Sequence, residues 1–311
     1  SLALDWLVAD LLRLKKASDV KVTVILPALN EEATVATIVR QIRQELMHPH
    51  GHALVDELVV LDSGSTDRTA KVAAHAGATV IHRDEVFPEL PTVTGKGEAM
   101  WRGVGATTGD LVVFIDADLR SFSTSYVVGL LGPLLSDDAI QLVKAVYERP
   151  LVGDQQTMPA GGGRVTELVA RPLLNLHWPQ LAGVIQPLAG EYAARRSLLE
   201  QLPFSCGYGV DFALLIDTAQ LHGVGAIAQV DLGVRVHRHH DTARLGRMAT
   251  EIMHTAWSRL PHDPALSPTA GDTWARFERD ADGYHVSTHV VPSTGRPALA
   301  TMPGYRAVQG S

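Results

Sequence analysis

Four short apolar runs constrain this chain more than any other feature, because three of them stop on carboxylates. The runs are Val22-Thr-Val-Ile-Leu26, Leu58-Val-Val-Leu61, Ala78-Thr-Val-Ile81 and Leu111-Val-Val-Phe-Ile115. Each has the length and β-branched character of a strand buried on both faces. Between them lie stretches with helical spacing. Residues 31–46 place Val35, Ile38, Val39, Ile42 and Leu46 on one face, and 66–76 and 98–106 also read as helices. Strand and helix in alternation predict an α/β protein with a mostly parallel sheet covered on both faces. In such sheets ligands bind beyond the carboxyl ends of the strands. Those ends here are Pro27-Ala-Leu-Asn-Glu-Glu32, Asp62-Ser-Gly-Ser-Thr-Asp67 and Asp116-Ala-Asp118.

The second half is less regular. A strand is expected over 141–147, a helix over 164–176 opened by Gly161-Gly162-Gly163, a helix over 210–222, a strand near 226–230 and a helix over 245–260. From Pro261 onward Pro, Gly, Thr and Asp increase and periodicity fades, which reads as an extended or partly disordered tail. The expected organisation is an N-terminal helix (1–19), one domain in two halves (20–150 and 151–260) and the tail (261–311). Leu4, Leu7, Leu11 and Leu14 follow one helix face, for docking on the body or for a subunit contact.

Composition narrows the function. With 46% hydrophobic and 20% charged residues, the chain is globular. A formal net charge of −7 disfavours broad nucleic-acid binding, so a phosphate-bearing ligand needs local cations or a metal. The single cysteine, Cys206, leaves no internal disulfide and fits a reducing cytoplasm. The longest apolar stretch, 126–135, is broken by Gly129, Gly132 and Pro133 and falls short of the ~20 residues that span a bilayer. The N-terminus lacks the basic-then-apolar order of a signal peptide. The expectation is a soluble protein.

Asp67 stands near a helix start, where an acid serves equally as an N-cap. Asp116 and Asp118 follow a strongly apolar strand, and two adjacent carboxylates repel unless a cation intervenes. Carboxylate, donor phosphates and water make an ordinary Mg²⁺ shell; a turn with a cap is the plainer reading. Lys96 lies between Gly95 and Gly97, where backbone can approach closely and the ammonium can meet a phosphate, or it is a solvated lysine. Gly163 and Arg164 open a helix, whose free N–H groups favour an anion. Arg164 opposes the helix dipole there, which an anionic ligand would offset.

Asp-X-Asp after a buried strand, with Pro-Ala-Leu-Asn-Glu after the first, resembles GT-A-fold glycosyltransferases. Pro91-Thr-Val-Thr-Gly-Lys-Gly-Glu-Ala99, the segments 161–174 and 225–235, and Gln186-Pro-Leu-Ala-Gly-Glu-Tyr-Ala193 narrow this. They look like the glucosyl-3-phosphoglycerate synthases and their mannosyl relatives. The resemblance implies a GT-A sheet with a helical C-terminal part. It implies transfer of glucose from UDP-glucose, or of mannose from GDP-mannose, to 3-phosphoglycerate, with Mg²⁺ or Mn²⁺ and as a homodimer. By the same resemblance Pro27, Leu29, Glu31, Ser63, Lys96 and Asp116 hold the nucleotide sugar, and Asp118 and His237 bind the metal. Gly163, Arg164, Thr166, Tyr208 and His239 take the acceptor. The Leu188 backbone stabilises the cationic sugar, which makes Asp118, Lys96, Leu188 and Arg164 the catalytic set. The sequence departs from the pattern at Asn30, Ala117, Asp211 and His239, where Asp, Ser, Glu and Asn are usual.

Glu191 and Asp211 are the carboxylates to weigh for a double displacement; front-face transfer, in which the leaving phosphate oxygen takes the acceptor proton, is favoured. A polyprenyl-phosphate sugar transferase would call for an apolar membrane face and leaves the Gly-Gly-Gly-Arg segment unexplained. A nucleotidyltransferase places its Gly-rich loop after the first strand, and a dinucleotide dehydrogenase needs Gly-X-Gly-X-X-Gly there. An inert nucleotide-sugar-binding module is disfavoured by the intact Asp116, Asp118, Lys96 and His237.

Overall fold

The structure is a computed structural model and describes residues 2–47, 53–148, 151–152, 157–158, 163–234, 242–261, 273–280, 283–291 and 294–305. The first half runs α1 (Val8–Ser18), β1 (Val22–Ala28), α2 (Val35–Leu46), β2 (Glu57–Asp62), α3 (Thr69–Ala76), β3 (Thr79–His82), α4 (Lys96–Gly105), β4 (Leu111–Phe114) and α5 (Ser125–Ser136). The second half has β5 (Leu142–Glu148), the short β6 (Leu151–Val152) and β7 (Thr157–Met158), a π-helical turn over Thr166–Ala170, α6 (Arg171–His177), β8 (Tyr192–Arg195) and α7 (Arg196–Gln201). It continues with β9 (Phe204–Ser205), α8 (Val210–His222), β10 (Ile227–Val234), α9 (Thr242–Trp257), β11 (Thr273–Asp280), β12 (Gly283–Val290) and β13 (Gly295–Arg296).

Seven strands form one sheet in the order β10-β5-β8-β4-β1-β2-β3. β1 pairs in parallel with β2 and β4, as does β2 with β3 and β10 with β5. β8 is antiparallel to both neighbours, β4 and β5. The expected α/β architecture, mostly parallel and flanked by helices, is therefore present. The antiparallel strand had no sequence signal, because Tyr-Ala-Ala-Arg is short and lacks a β-branched run. One apolar layer, from α1, α2, α3 and α5, covers one sheet face; a second, from α4, α7, α8 and α9, covers the other. The five residues predicted on the buried face of α2 are all fully or almost fully buried.

The N-terminal helix differs in phase from the leucine spacing. Leu7 is the extended residue before α1 and is exposed, whereas Leu11 is fully buried. Leu11 and Leu14 do face the core, and Ala3 and Trp6 extend the docking against Gly129 and Gly132 of α5, so the glycines that broke the apolar stretch make room for packing. The helix expected over 164–176 carries a π-helical turn before α6. The region after 261 also differs from expectation. β11 and β12 form an antiparallel hairpin, and β13 pairs with β9. Its anchors are long-range: Trp274 stacks on His289 and lies against Gly246 of α9, and Arg296 is buried against Glu98.

Candidate active site

The ends of β1 and β2 are laced together. Asn30 adopts a left-handed backbone (φ 59°). Its N–H donates to Ser65 Oγ (3.0 Å), and its side-chain oxygen accepts from the Thr66 N–H (2.9 Å). The Glu31 N–H donates to Thr69 Oγ1 (2.7 Å), and the Ser63 N–H to the Ala28 carbonyl (2.9 Å). These bonds bring Pro27, Leu29, Glu31 and Ser63 onto one rim, with Leu29 half-exposed to solvent. Asn30, a departure from the family pattern, is thus a stitch whose side chain only accepts, a role that an aspartate oxygen could also fill. Asp67, one residue before the N-cap of α3, accepts from the Thr69 N–H (2.8 Å) and from the Glu32 N–H (3.2 Å), so it joins the two strand-end loops.

The end of β4 reaches the same rim. Asp116 and Asp118 are partly exposed, while Ala117 between them is buried. Thr34 Oγ1 donates to the Ala117 carbonyl (2.6 Å), fixing this turn to the loop before α2. Asp118 lines a cleft of about 280 Å³ with Glu31, Ala33, Thr34 and Arg120. Its carboxylate supplies the hard oxygen that Mg²⁺ or Mn²⁺ prefers. Among the described residues no group of three or more His, Cys, Asp or Glu gathers as a complete metal set. His237 and His239 lie outside the described residues, as do Gly161 and Gly162.

Lys96, the first residue of α4, sits between two acids. Its ammonium is 2.9 Å from Asp116 Oδ1 and 3.5 Å from Asp211 Oδ2. Burial alone would depress the lysine, but the two carboxylates outweigh it and hold the ammonium above the ordinary range. Burial pushes the Asp211 carboxyl up, against the pull of Lys96 and Lys144, and its buried Oδ1 has no hydrogen-bond partner among the described residues. The glycines around Lys96 do admit a close approach, but by protein backbone. A Cβ on Gly95 would lie 2.4 Å from the Cys206 carbonyl oxygen, and one on Gly97 would lie 1.8 Å from that of Ser205. A Cβ on Gly190 would meet Lys96 Nζ at 2.4 Å and Asp116 Oδ2 at 2.5 Å, so a side chain there would displace this ion pair.

Gly163 has φ +84°, and its carbonyl accepts from the Glu167 N–H (3.0 Å). Arg164 is exposed and Thr166 buried. The turn they begin packs against α9, and Arg244 of α9 donates to the Tyr208 hydroxyl (3.0 Å). Leu188 is half-buried against the apolar layer that contains Val165 and Val169. Two participants escaped the sequence reading. Gly190 lay unremarked within Gln186-Pro-Leu-Ala-Gly-Glu-Tyr-Ala193. Lys144 is fully buried in the middle of β5, and a lone lysine inside an apolar strand was the available signal.

The model of the family described as glycosyl transferase family 2 matches residues 23–158. The glucosyl-3-phosphoglycerate synthase of Mycobacterium tuberculosis is 50% identical over 285 residues, covering 86% of each chain. That of Mycolicibacterium smegmatis is 46% identical over 298 residues, covering 96% of this chain and 94% of the relative. A crystal structure of the M. tuberculosis enzyme with Mn²⁺, UDP and glucosyl-3-phosphoglycerate superposes with a TM-score of 0.82 at 45% identity, covering 94% of this chain and 95% of that one. Another, holding Mn²⁺, UDP-glucose and phosphoglyceric acid, gives 0.81. A GT-A sheet, a carboxylate-lined rim and similarity over nearly the whole chain agree: this chain belongs to the glucosyl-3-phosphoglycerate synthase family.

Proposed function

We propose that this chain moves glucose from UDP-glucose to a hydroxyl of 3-phosphoglycerate and retains the anomeric configuration. One observation carries the reading. Lys96, Asp116 and Asp118 meet the β1 and β2 ends on one rim, in a chain that covers 95% of an enzyme crystallised with Mn²⁺, UDP and glucosyl-3-phosphoglycerate. Pro27, Leu29, Glu31 and Ser63 hold the nucleoside, and Asp116 the ribose. Gly163, Arg164, Thr166, Tyr208 and His239 receive the acceptor. Its phosphate and carboxylate match the Arg164 cation and the N–H groups of the turn that follows.

Asp118 and His237 would hold Mg²⁺ or Mn²⁺, which when bound supplies positive charge to the diphosphate leaving group. Lys96 adds a fixed cation beside it. Asp116 and Asp211 keep that ammonium charged against its burial and hold it in place, so little reorganisation is needed as charge develops. Asp211 is itself engaged by Lys96, and Glu191 is fully buried at the start of β8, so neither is disposed as a nucleophile. This favours front-face transfer, with the leaving phosphate oxygen taking the acceptor proton and the Leu188 backbone facing the cationic sugar.

The chain works in the cytoplasm as a homodimer. Its one cysteine is buried, and among the described residues no helix is long and apolar enough to cross a membrane. The test is a matrix of UDP-glucose, other nucleotide glucoses and GDP-mannose against 3-phosphoglycerate, with and without Mg²⁺. Transfer is expected from UDP-glucose and only with metal. Absence of transfer from every donor would overturn the acceptor assignment.

A further inference from the structure

β5 grips the segment that carries Leu188. The Lys144 ammonium donates to the Ala189 carbonyl at 2.6 Å. The Ala145 N–H donates to the Glu191 carbonyl at 3.1 Å, and the Gln186 side chain donates to the Tyr147 carbonyl. From β10, Gln229 accepts from the Ile185 N–H (2.8 Å) and donates to the Gly183 carbonyl (3.1 Å). Within the segment, the Ala189 N–H closes a turn on the Gln186 carbonyl (3.1 Å), with Pro187 in the second position that turns favour. A trans peptide unit is planar, so an Ala189 N–H aimed into the turn aims the Leu188 carbonyl out of it.

Lys144 is the least expected of these contacts. It is 1% exposed and stands opposite Tyr192 in the β5–β8 register, its ammonium 4.8 Å from the Tyr192 ring centroid. A hydrogen bond to the Ala189 carbonyl could come from a neutral donor, and desolvating an ammonium for it is unfavourable. What sets this one apart is its surroundings: Asp211 from α8, Lys96 from α4, Asp116 after β4 and Glu191 before β8 all act on it. Its charge belongs to the cluster under the site.

Building on the proposed role of the Leu188 backbone, we infer that Lys144 is a positioning residue, whose grip on the Ala189 carbonyl sets the direction of the Leu188 carbonyl toward the transferring sugar. Lys144 is buried, with its ammonium on a protein carbonyl and no open face for a ligand. Its loss therefore lowers turnover and leaves donor binding in place.

The test compares wild type, Lys144→Met and Lys144→Arg in steady-state transfer from UDP-glucose to 3-phosphoglycerate, with UDP affinity by calorimetry and a thermal melt of each. Lys144→Met is expected to lower kcat by about 30- to 100-fold, as for a lost hydrogen bond to a charged group. KM for UDP-glucose and UDP affinity should stay within about threefold of wild type. Lys144→Arg keeps a charged donor and should recover at least about a third of the loss on a logarithmic scale. If Lys144→Met does not fold, Lys144→Gln carries the same test, since its amide stops one methylene short of the carbonyl. An unchanged kcat in the variant that folds, or kcat and UDP affinity falling together, overturns the inference. Wild-type protein that turns over no 3-phosphoglycerate would instead overturn the proposed reaction.

Discussion

Helix α4 serves two buried charge clusters two residues apart, and they are finished differently. Glu98 is fully buried, and both its oxygens are taken. Arg102 binds Oε1 at 2.7 Å, while Arg296 binds Oε2 at 2.6 Å and Oε1 at 2.7 Å. Burial would raise this carboxyl, but the two guanidiniums outweigh it and hold it below the ordinary range. Around Lys96 the balance is open. Lys96 and Asp116 remain 18% and 24% exposed, and Asp211 keeps a buried oxygen with no hydrogen-bond partner among the described residues. A saturated cluster fixes structure; an unsaturated one at a sheet rim has capacity left for a ligand. The Glu98 cluster also tethers the C-terminal β13 and, through Arg102 and Arg296, the carbonyls of Val86, Phe87, Leu90 and Pro91.

The difference can be broken from either side. Arg296→Met leaves Glu98 one guanidinium short in a buried site and releases β13, so unfolding free energy should fall by about 3–5 kcal/mol. Turnover per folded molecule should stay within about threefold. Urea unfolding and an assay well below the midpoint check both, and unchanged stability would contradict the structural role. Lys96→Met should do the reverse, lowering kcat by about 100- to 1000-fold with a smaller loss of stability than Arg296→Met. Equal turnover in the two variants would erase the distinction.

Lys144 sharpens the comparison through pH. Burial, opposed by Asp211, brings its pKa down to about 8 from the ordinary 10.5. Between those values the unfolded chain holds the extra proton, so Lys144 makes stability rise with pH. The gain is absent below 8 and complete above 10.5, with a slope of at most about 1.4 kcal/mol per pH unit. The stability difference between wild type and Lys144→Met should therefore move in favour of wild type from pH 8 to 10; a constant difference would contradict the burial argument. The smallest effect belongs to Cys206, whose thiol burial, reinforced by Glu98, pushes up to about 11. Iodoacetamide at pH 8 should leave the folded protein unlabelled and fully active, and label it only in urea.

The strand ends that meet on the rim were legible in the sequence, because β1, β2 and β4 are each a continuous apolar run that stops at a polar cluster. Asp116 and Asp118 are partly exposed in the turn just past β4, where the apolar run has ended. What escaped it depends on distant partners. β8 pairs antiparallel through a four-residue run, Lys144 finds its acceptor 45 residues away, and Arg296 reaches Glu98 across 198 residues. Periodicity reports a segment's own faces and is silent about contacts at that separation. The glycines flanking Lys96 were legible as sites of close approach, but not that the Ser205 and Cys206 carbonyls make it.

The most direct measurement is the anomeric configuration of the product formed from UDP-α-glucose, 3-phosphoglycerate and Mg²⁺, read by the one-bond carbon–proton coupling at the anomeric centre. Front-face transfer over the open Lys96 cluster predicts an α-linked glucosyl-3-phosphoglycerate. A β-linked product, or none, would contradict it.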